Sequence, residues 1–219
     1  VNTGAPDDIA AVVLAAGAGT RMGRAKLHLP WGETTILGQV LAILRDAGVD
    51  RLVVAARTGD EAAARTAGAA GAGIAWAVRV DAGQAGDCPT PSLQAALALL
   101  ADAATASPPL APPGAVLVMP GDLPLLRPET VARIIAAFRI APEGPQAIVA
   151  PAFEGRRGHP VLFGAAHLAA LAALPPGRWP RDVVRRAGGD VREVAVNDAG
   201  VATDIDDPST YARLRPRPA

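Results

Sequence analysis

Eight consecutive residues, Ile9-Ala10-Ala11-Val12-Val13-Leu14-Ala15-Ala16, carry no polar side chain and run directly into Gly17-Ala18-Gly19-Thr20-Arg21-Met22-Gly23. A strand with one face in water alternates apolar and polar residues, whereas an unbroken apolar run fits a parallel strand covered on both faces. Helices must supply both covers, so a three-layer arrangement is expected. The glycines that follow let backbone N–H groups approach an anion closely, and Arg21 and Lys26 bring positive charge to the same place. A strand feeding a phosphate-binding loop has this form.

The rest of the chain repeats the alternation of strand and helix. Gly17 to Pro30 reads as a loop. Thr34 or Thr35 caps a helix through about Ala47, with Ile36, Leu37, Val40, Leu41 and Leu44 as its apolar stripe and Gly48 as its stop. Strands are predicted at Arg51–Ala56, Ile74–Val78, Ala115–Met119, Gln146–Pro151, Val161–Phe163 and Val191–Val196. Helices are predicted at Asp60–Ala70, from a cap at Ser92, at Pro128–Arg139, Ala165–Leu174 and Arg181–Ala187, and near Tyr211. Arg79 to Pro91 and the proline-rich Ser107 to Gly114 read as irregular connections, and Glu154-Gly155-Arg156 as a turn. No internal repeat or domain-sized linker interrupts residues 1–219. A single α/β/α domain with a mostly parallel sheet is the expectation.

Composition narrows the function. Lys plus Arg and Asp plus Glu both number 21, so no global charge steers the chain towards nucleic acid or an anionic membrane, and any basic site is local. One cysteine, Cys88, excludes an internal disulfide and fits a reducing compartment. No apolar run is long enough to span a bilayer, and residues 1–10 carry Asp7 and Asp8 in place of a basic leader. A cytoplasmic location is expected.

Gly17-x-Gly19-x-x-x-Gly23 after a strand also occurs in dinucleotide sites, but the next strand ends Ala55-Ala56-Arg57, without the acid that would hold a ribose. That disfavours an oxidoreductase. No Gly-Lys-Ser or Gly-Lys-Thr follows the glycines, which excludes a Walker A loop. Far along the chain, Asp122 follows Gly121 at the end of a buried strand, the edge where open α/β sheets bind ligands. A carboxylate there suits Mg²⁺. Asp204 and Asp206 flank Ile205, so on an extended segment they point the same way, and either is placed to bring a second carboxylate to that ion. Asp207-Pro208 reads as the cap and first turn of the last helix.

Leu14-Ala15-Ala16-Gly17-Ala18-Gly19-Thr20-Arg21-Met22-Gly23-Arg24-Ala25-Lys26 resembles the nucleotidyltransferase signature L-A-A-G-x-x-x-R-M-G-x-x-K, most closely that of the molybdenum cofactor cytidylyltransferases. The similarity extends through Gly121-Asp122, Gly158-His159-Pro160-Val161-Leu162-Phe163 and Asp204-Ile205-Asp206. It implies a Rossmann-like nucleotidyltransferase fold, nucleotide contacts at Leu14, Ala15, Ala16, Gly17, Gly19, Arg21 and Lys26, and catalytic roles for Arg21, Lys26 and Asp122. It also implies Mg²⁺ on Asp122 and, by preference, Asp204, with His159 and Arg181 facing the acceptor. Relatives that use GTP usually carry L-A-G-G, so Ala16 leans towards CTP as substrate. The implied acceptor is a molybdopterin-type phosphate, with a molybdoenzyme as eventual recipient.

Two segments depart from that family. Cys88-Pro89-Thr90-Pro91-Ser92-Leu93 stands where G-M-x-x-S-L is usual, and Gly177-Arg178-Trp179-Pro180-Arg181 where G-D-x-G-A-R is usual. These departures leave room for another phosphorylated acceptor, such as a sugar or alcohol phosphate, or for a non-catalytic nucleotide- or cofactor-binding module.

Overall fold

The computed structural model describes residues 8–17, 25–77 (backbone alone for 75–77), 88–102, 111–187 and 191–216. The predicted features at Gly19, Arg21, Gly23, Val78, residues 79–87 and residues 107–110 lie outside them. In chain order the strands are β1 (Ile9–Leu14), β2 (Pro30–Trp31), β3 (Thr34–Thr35), β4 (Arg51–Arg57), β5 (Gly73–Ala77), β6 (Ala115–Pro120), β7 (Ile148–Phe153), β8 (Arg156–Arg157), β9 (Val161–Gly164) and β10 (Val191–Ala195). The α-helices are α1 (Ile36–Asp46), α2 (Glu61–Ala69), α3 (Thr90–Asp102), α4 (Pro128–Arg139), α5 (Leu168–Ala172), α6 (Pro180–Arg186) and α7 (Pro208–Leu214).

The main sheet runs β10-β7-β9-β6-β1-β4-β5, with β8 appended to β7. β1 pairs in parallel with both β4 and β6, β4 with β5, and β7 with β10. β9 is the reversed strand within the path, antiparallel to β6 and β7. The sheet is therefore mostly parallel but mixed. β1 explains the unbroken apolar run. Ala11 and Val13 face a core that includes Leu37, Leu41 and Ile134, from α1 and α4, while Ala10 and Val12 face Leu93, Leu97, Leu171 and Val183, from α3, α5 and α6. Both faces are covered, which gives the three layers.

Local chemistry sets several boundaries. Of the two threonines offered as caps, Thr35 does the work: its hydroxyl accepts from the Gly38 N–H at 3.0 Å. Gly48, at φ +82°, ends the helix in a conformation that favours glycine. Asp60 caps α2 through the Ala63 N–H, and Pro128 opens α4. Glu154 and Gly155 both have positive φ and form the two-residue turn between β7 and β8.

Three expectations need correction. Ser92 does not cap α3. The helix begins at Thr90, Pro91 is accommodated in its first turn because an N–H there needs no helical partner, and Ser92 is buried inside the helix. The helix expected over 165–174 is a tight 3₁₀ turn at Ala165–His167 followed by α5. The stretch read as a loop up to Pro30 contains a 3₁₀ turn, Lys26–His28, and then β2, which pairs with β3 as a small hairpin before α1.

That hairpin is anchored from the far end of the chain. The Tyr211 hydroxyl, on α7, donates to the Pro30 carbonyl at 2.7 Å, and its ring lies 6.4 Å from that of Trp31. Lys26, just before the hairpin, and Asp206, just before α7, are thereby brought to the same side of the sheet.

Candidate active site

β1, β4 and β6 run in parallel and end at the same edge, and the chain leaves β1 through tightly fixed backbone. The Ala15 N–H donates to the Ala55 carbonyl at 2.8 Å, and the Gly121 N–H donates to the Leu14 carbonyl at 3.0 Å. A Cβ at Gly121 would stand 3.3 Å from that same Leu14 oxygen, so glycine lets the end of β6 close on β1. The Ala15 amide is thereby committed to the sheet. The Ala16 carbonyl accepts from Arg57 Nε at 2.8 Å. Because C=O and the next N–H point oppositely in a trans peptide, this bond turns the Gly17 N–H away from β4, and Gly17 itself is exposed.

Asp122 follows Gly121 at the end of β6, and its carbonyl accepts from the Ile205 N–H at 3.1 Å. That bond lays the Asp204-Ile205-Asp206 segment against Asp122. One carboxylate oxygen from each of Asp122, Asp204 and Asp206 lies within 4.8 Å of the others. Lys26 Nζ sits 2.5 Å from Asp122 Oδ2 and 2.5 Å from Asp206 Oδ1. Burial alone would lower the Lys26 pKa, but the hydrogen bonds and charges of Asp122 and Asp206 outweigh it and hold the ammonium above its ordinary value. Desolvation raises the Asp204 carboxyl, and a hydrogen bond with Asp206 and the charges of Asp206 and Asp122 raise it further.

The donor set suits a divalent cation. Among the described residues, Asp122 Oδ1 is buried without a hydrogen-bond partner, an expensive state for a carboxylate oxygen that an ion would relieve. Three hard oxygen donors at one edge also match the way Mg²⁺ is held, by a few carboxylates together with substrate phosphates. Of the two carboxylates on the 204–206 segment, both approach Asp122, so the spacing argument for a shared direction holds and Asp206 joins the set alongside the preferred Asp204.

His159 is brought to the same region. Its N–H donates to the Val201 carbonyl at 2.8 Å. The residue is open to solvent but has protein on several sides, and desolvation lowers its pKa, against the opposing charge of Asp122 and a backbone hydrogen bond at Val118. Arg181 belongs to a different group: its guanidinium lies 4.8 Å from the centre of the Trp179 ring at the start of α6. Arg185 pairs with Asp182 on the exposed surface of that helix.

The two segments that depart from the expected pattern meet. The Thr90 hydroxyl donates to the Arg178 carbonyl, and Cys88 Sγ lies 3.1 Å from the same oxygen. The Arg178 carbonyl is thus the point at which the two segments touch.

Sequence reasoning missed two contributors. Arg57 entered only as the absence of a ribose-binding acid, although a cation ending the strand beside β1 is the available signal for its bond to Ala16. Asp198 carried no signal beyond a turn-forming Asn-Asp pair, yet it is buried, as described below.

Residues 11–191 match the MobA-like NTP transferase domain. The chain is 36% identical over 129 residues to the bifunctional protein GlmU of Cereibacter sphaeroides, covering 58% of this chain and 26% of that protein. It is 34% identical over 125 residues to the molybdenum cofactor guanylyltransferase of Xanthomonas euvesicatoria, covering 57% of this chain and 52% of that one. The chain thus spans about a quarter of the first of these curated relatives and about half of the second. Rv0371c of Mycobacterium tuberculosis superposes with a TM-score of 0.71 at 30% identity, covering 95% of this chain and 97% of that one, and it has also been crystallised in complex with manganese. At 23% identity, 4-diphosphocytidyl-2C-methyl-D-erythritol synthase shares the fold, with a TM-score of 0.64 and coverage of 95% and 96%. This chain is a nucleotidyltransferase that belongs to the family of MobA-like NTP transferase domains.

Proposed function

We propose that the chain transfers CMP from CTP to a molybdopterin-type phosphate acceptor and releases pyrophosphate. The observation that carries the reading is the convergence of Lys26, Asp122, Asp204 and Asp206 at the sheet edge where β1 delivers its glycine loop. In this reaction an acceptor phosphate oxygen forms a bond to the α-phosphorus of the nucleotide while the bond to the β-phosphate oxygen breaks. Both reactants are anions, so positioning and charge neutralisation supply most of the acceleration.

Amides from Ala16 to Gly19 would contact the nucleotide, with Leu14 and Ala15 holding their base in the sheet. Arg21 and Lys26 would hold the triphosphate; its oxygens would compete with Asp122 and Asp206 for the Lys26 ammonium. Asp122 and Asp204, joined by Asp206, would hold Mg²⁺, which when bound screens the charge of the phosphates. His159, beside Asp122 and with its pKa lowered, would meet the acceptor as a neutral imidazole near pH 7. Arg181, exposed over Trp179, would face the acceptor from the α6 side.

Ala16 supports CTP by the signature resemblance, and the relative named molybdenum cofactor guanylyltransferase supports the acceptor class. A second reading, GTP as donor, is favoured by that same relative and by phosphoenolpyruvate guanylyltransferase of Rubrobacter xylanophilus, 35% identical over 105 residues that cover 46% of this chain and 47% of that one. The test is pyrophosphate release from each nucleoside triphosphate with Mg²⁺ and a molybdopterin acceptor. Release above background with CTP preferred supports the proposal; preference for GTP replaces the nucleotide. No release with any donor, alongside calorimetric binding of nucleotide, replaces the enzyme with a binding module.

A further inference from the structure

Asp198 is the one charged residue that is buried among the described residues, with 3% of its surface exposed. Burying a carboxylate is costly unless its oxygens are hydrogen-bonded. Asp198 Oδ2 accepts from the Thr130 hydroxyl at 2.7 Å and from the Arg127 N–H at 3.0 Å, and Oδ1 accepts from the Gly200 N–H at 2.9 Å. Arg127 precedes α4 and Thr130 lies in its first turn, where the helix dipole favours a negative charge. The carboxylate therefore ties the 3₁₀ turn Ala199–Ala202 to the start of α4.

What hangs from that tie is the carboxylate cluster. Val201, fully buried in the turn, offers its carbonyl to the His159 N–H at 2.8 Å. The fit leaves no slack: a Cβ at Gly158 would run into the Val201 carbonyl, and a Cβ at Gly200 into the Leu125 carbonyl. Four residues beyond Val201, Ile205 is fully buried and donates to the Asp122 carbonyl at 3.1 Å. The segment that carries Asp204 and Asp206 is thus pinned upstream on α4 and at its middle on the end of β6.

We propose that Asp198 and the Thr130 hydroxyl form a positioning latch that sets the spacing of Asp204 and Asp206 against Asp122 for a divalent cation; this rests on the reading of those three carboxylates as a metal site. Neither latch residue contacts the cation. An apolar pair would fill the space without desolvating a charge, so the specific gain is a single fixed geometry for the segment.

The experiment is titration of the purified chain, residues 1–219, with Mn²⁺, without nucleotide, following the free-ion signal by electron paramagnetic resonance. Thr130→Val keeps the side-chain shape and removes the donor, whereas Thr130→Ser keeps the donor; the first should weaken Mn²⁺ binding by about tenfold and the second should stay within about twofold of the unaltered chain. Asp198→Asn removes the charge and sets an NH2 group against a backbone N–H, that of Gly200 or that of Arg127, and should weaken binding at least as much; if that variant fails to fold, the threonine pair decides. Thr130→Val that binds like the unaltered chain overturns the latch, as does equal weakening by Thr130→Val and Thr130→Ser, which would assign the effect to packing. An unaltered chain that binds no Mn²⁺ overturns the metal reading itself, and the latch with it.

Discussion

Lys26 Nζ donates to Asp122 Oδ2 at 2.5 Å although the two residues stand 96 positions apart in the chain. Asp206, 180 positions from Lys26, binds the same ammonium. The pairs are only partly buried, with 16% of the Lys26 side chain and 13% of the Asp122 side chain exposed, so a charged ligand can still reach them. In this arrangement Lys26 offsets part of the negative charge of the carboxylates.

That arrangement predicts opposite effects on two measurements. Lys26→Met removes the competing cation, so Mn²⁺ should bind the nucleotide-free chain more tightly. Pyrophosphate release should nevertheless fall by about 10²–10³-fold, because a charge that stabilises the reacting phosphates is gone. Unchanged turnover would remove Lys26 from the chemistry.

Asp204 gives a pH prediction. Its carboxyl is held above its ordinary value of 3.8, so the folded chain binds that proton more tightly than the unfolded chain does. Above 3.8, stability from this group therefore declines as pH rises through the folded value, and it is level below the unfolded one. Without metal, Asp204→Asn should melt above the unaltered chain at neutral pH, with the gap closing on acidification towards the ordinary carboxylate value. A gap that widens on acidification would contradict the direction of the shift.

Arg57 Nε donates to the Ala16 carbonyl and so orients that peptide. Arg57→Ala should raise KM for the nucleoside triphosphate by about tenfold, the cost of one charge-assisted hydrogen bond, while kcat changes little. Steady-state kinetics separates the two, and a fall confined to kcat would give Arg57 a different role.

Much of the fold was legible because its signals are local. The apolar run of β1, the cap at Thr34 or Thr35, Gly48 and Pro128 each act on their own neighbours, and the helix stripe of Ile36, Leu37, Val40, Leu41 and Leu44 is buried as its spacing requires. The reversal of β9 was not legible, since a short apolar strand reads the same in either direction. Ser92 misled because a good capping residue stood one place after a proline that the helix could accept. In the site, Lys26 and Asp122 were legible as residue types beside glycines at strand ends, but their direct pairing arises from the order of strands in the sheet. Asp198 was invisible because burial, not identity, makes it important.

The contact between Thr90 and Arg178 gives a test of the proposed acceptor side. Thr90→Val deletes the hydroxyl that holds the Arg178 carbonyl and should raise KM for the acceptor by about three- to tenfold while leaving KM for the nucleotide unchanged. Parallel increases in both constants would place this contact on the nucleotide side instead.

The most direct test of the carboxylate centre is pyrophosphate release by the unaltered chain and by Asp122→Asn, measured with Mg²⁺, acceptor and saturating nucleotide, with nucleotide binding followed separately by calorimetry. The account predicts release by the unaltered chain and a loss of about 10²–10³-fold in Asp122→Asn, with nucleotide affinity only modestly weakened. Full turnover in Asp122→Asn would contradict it.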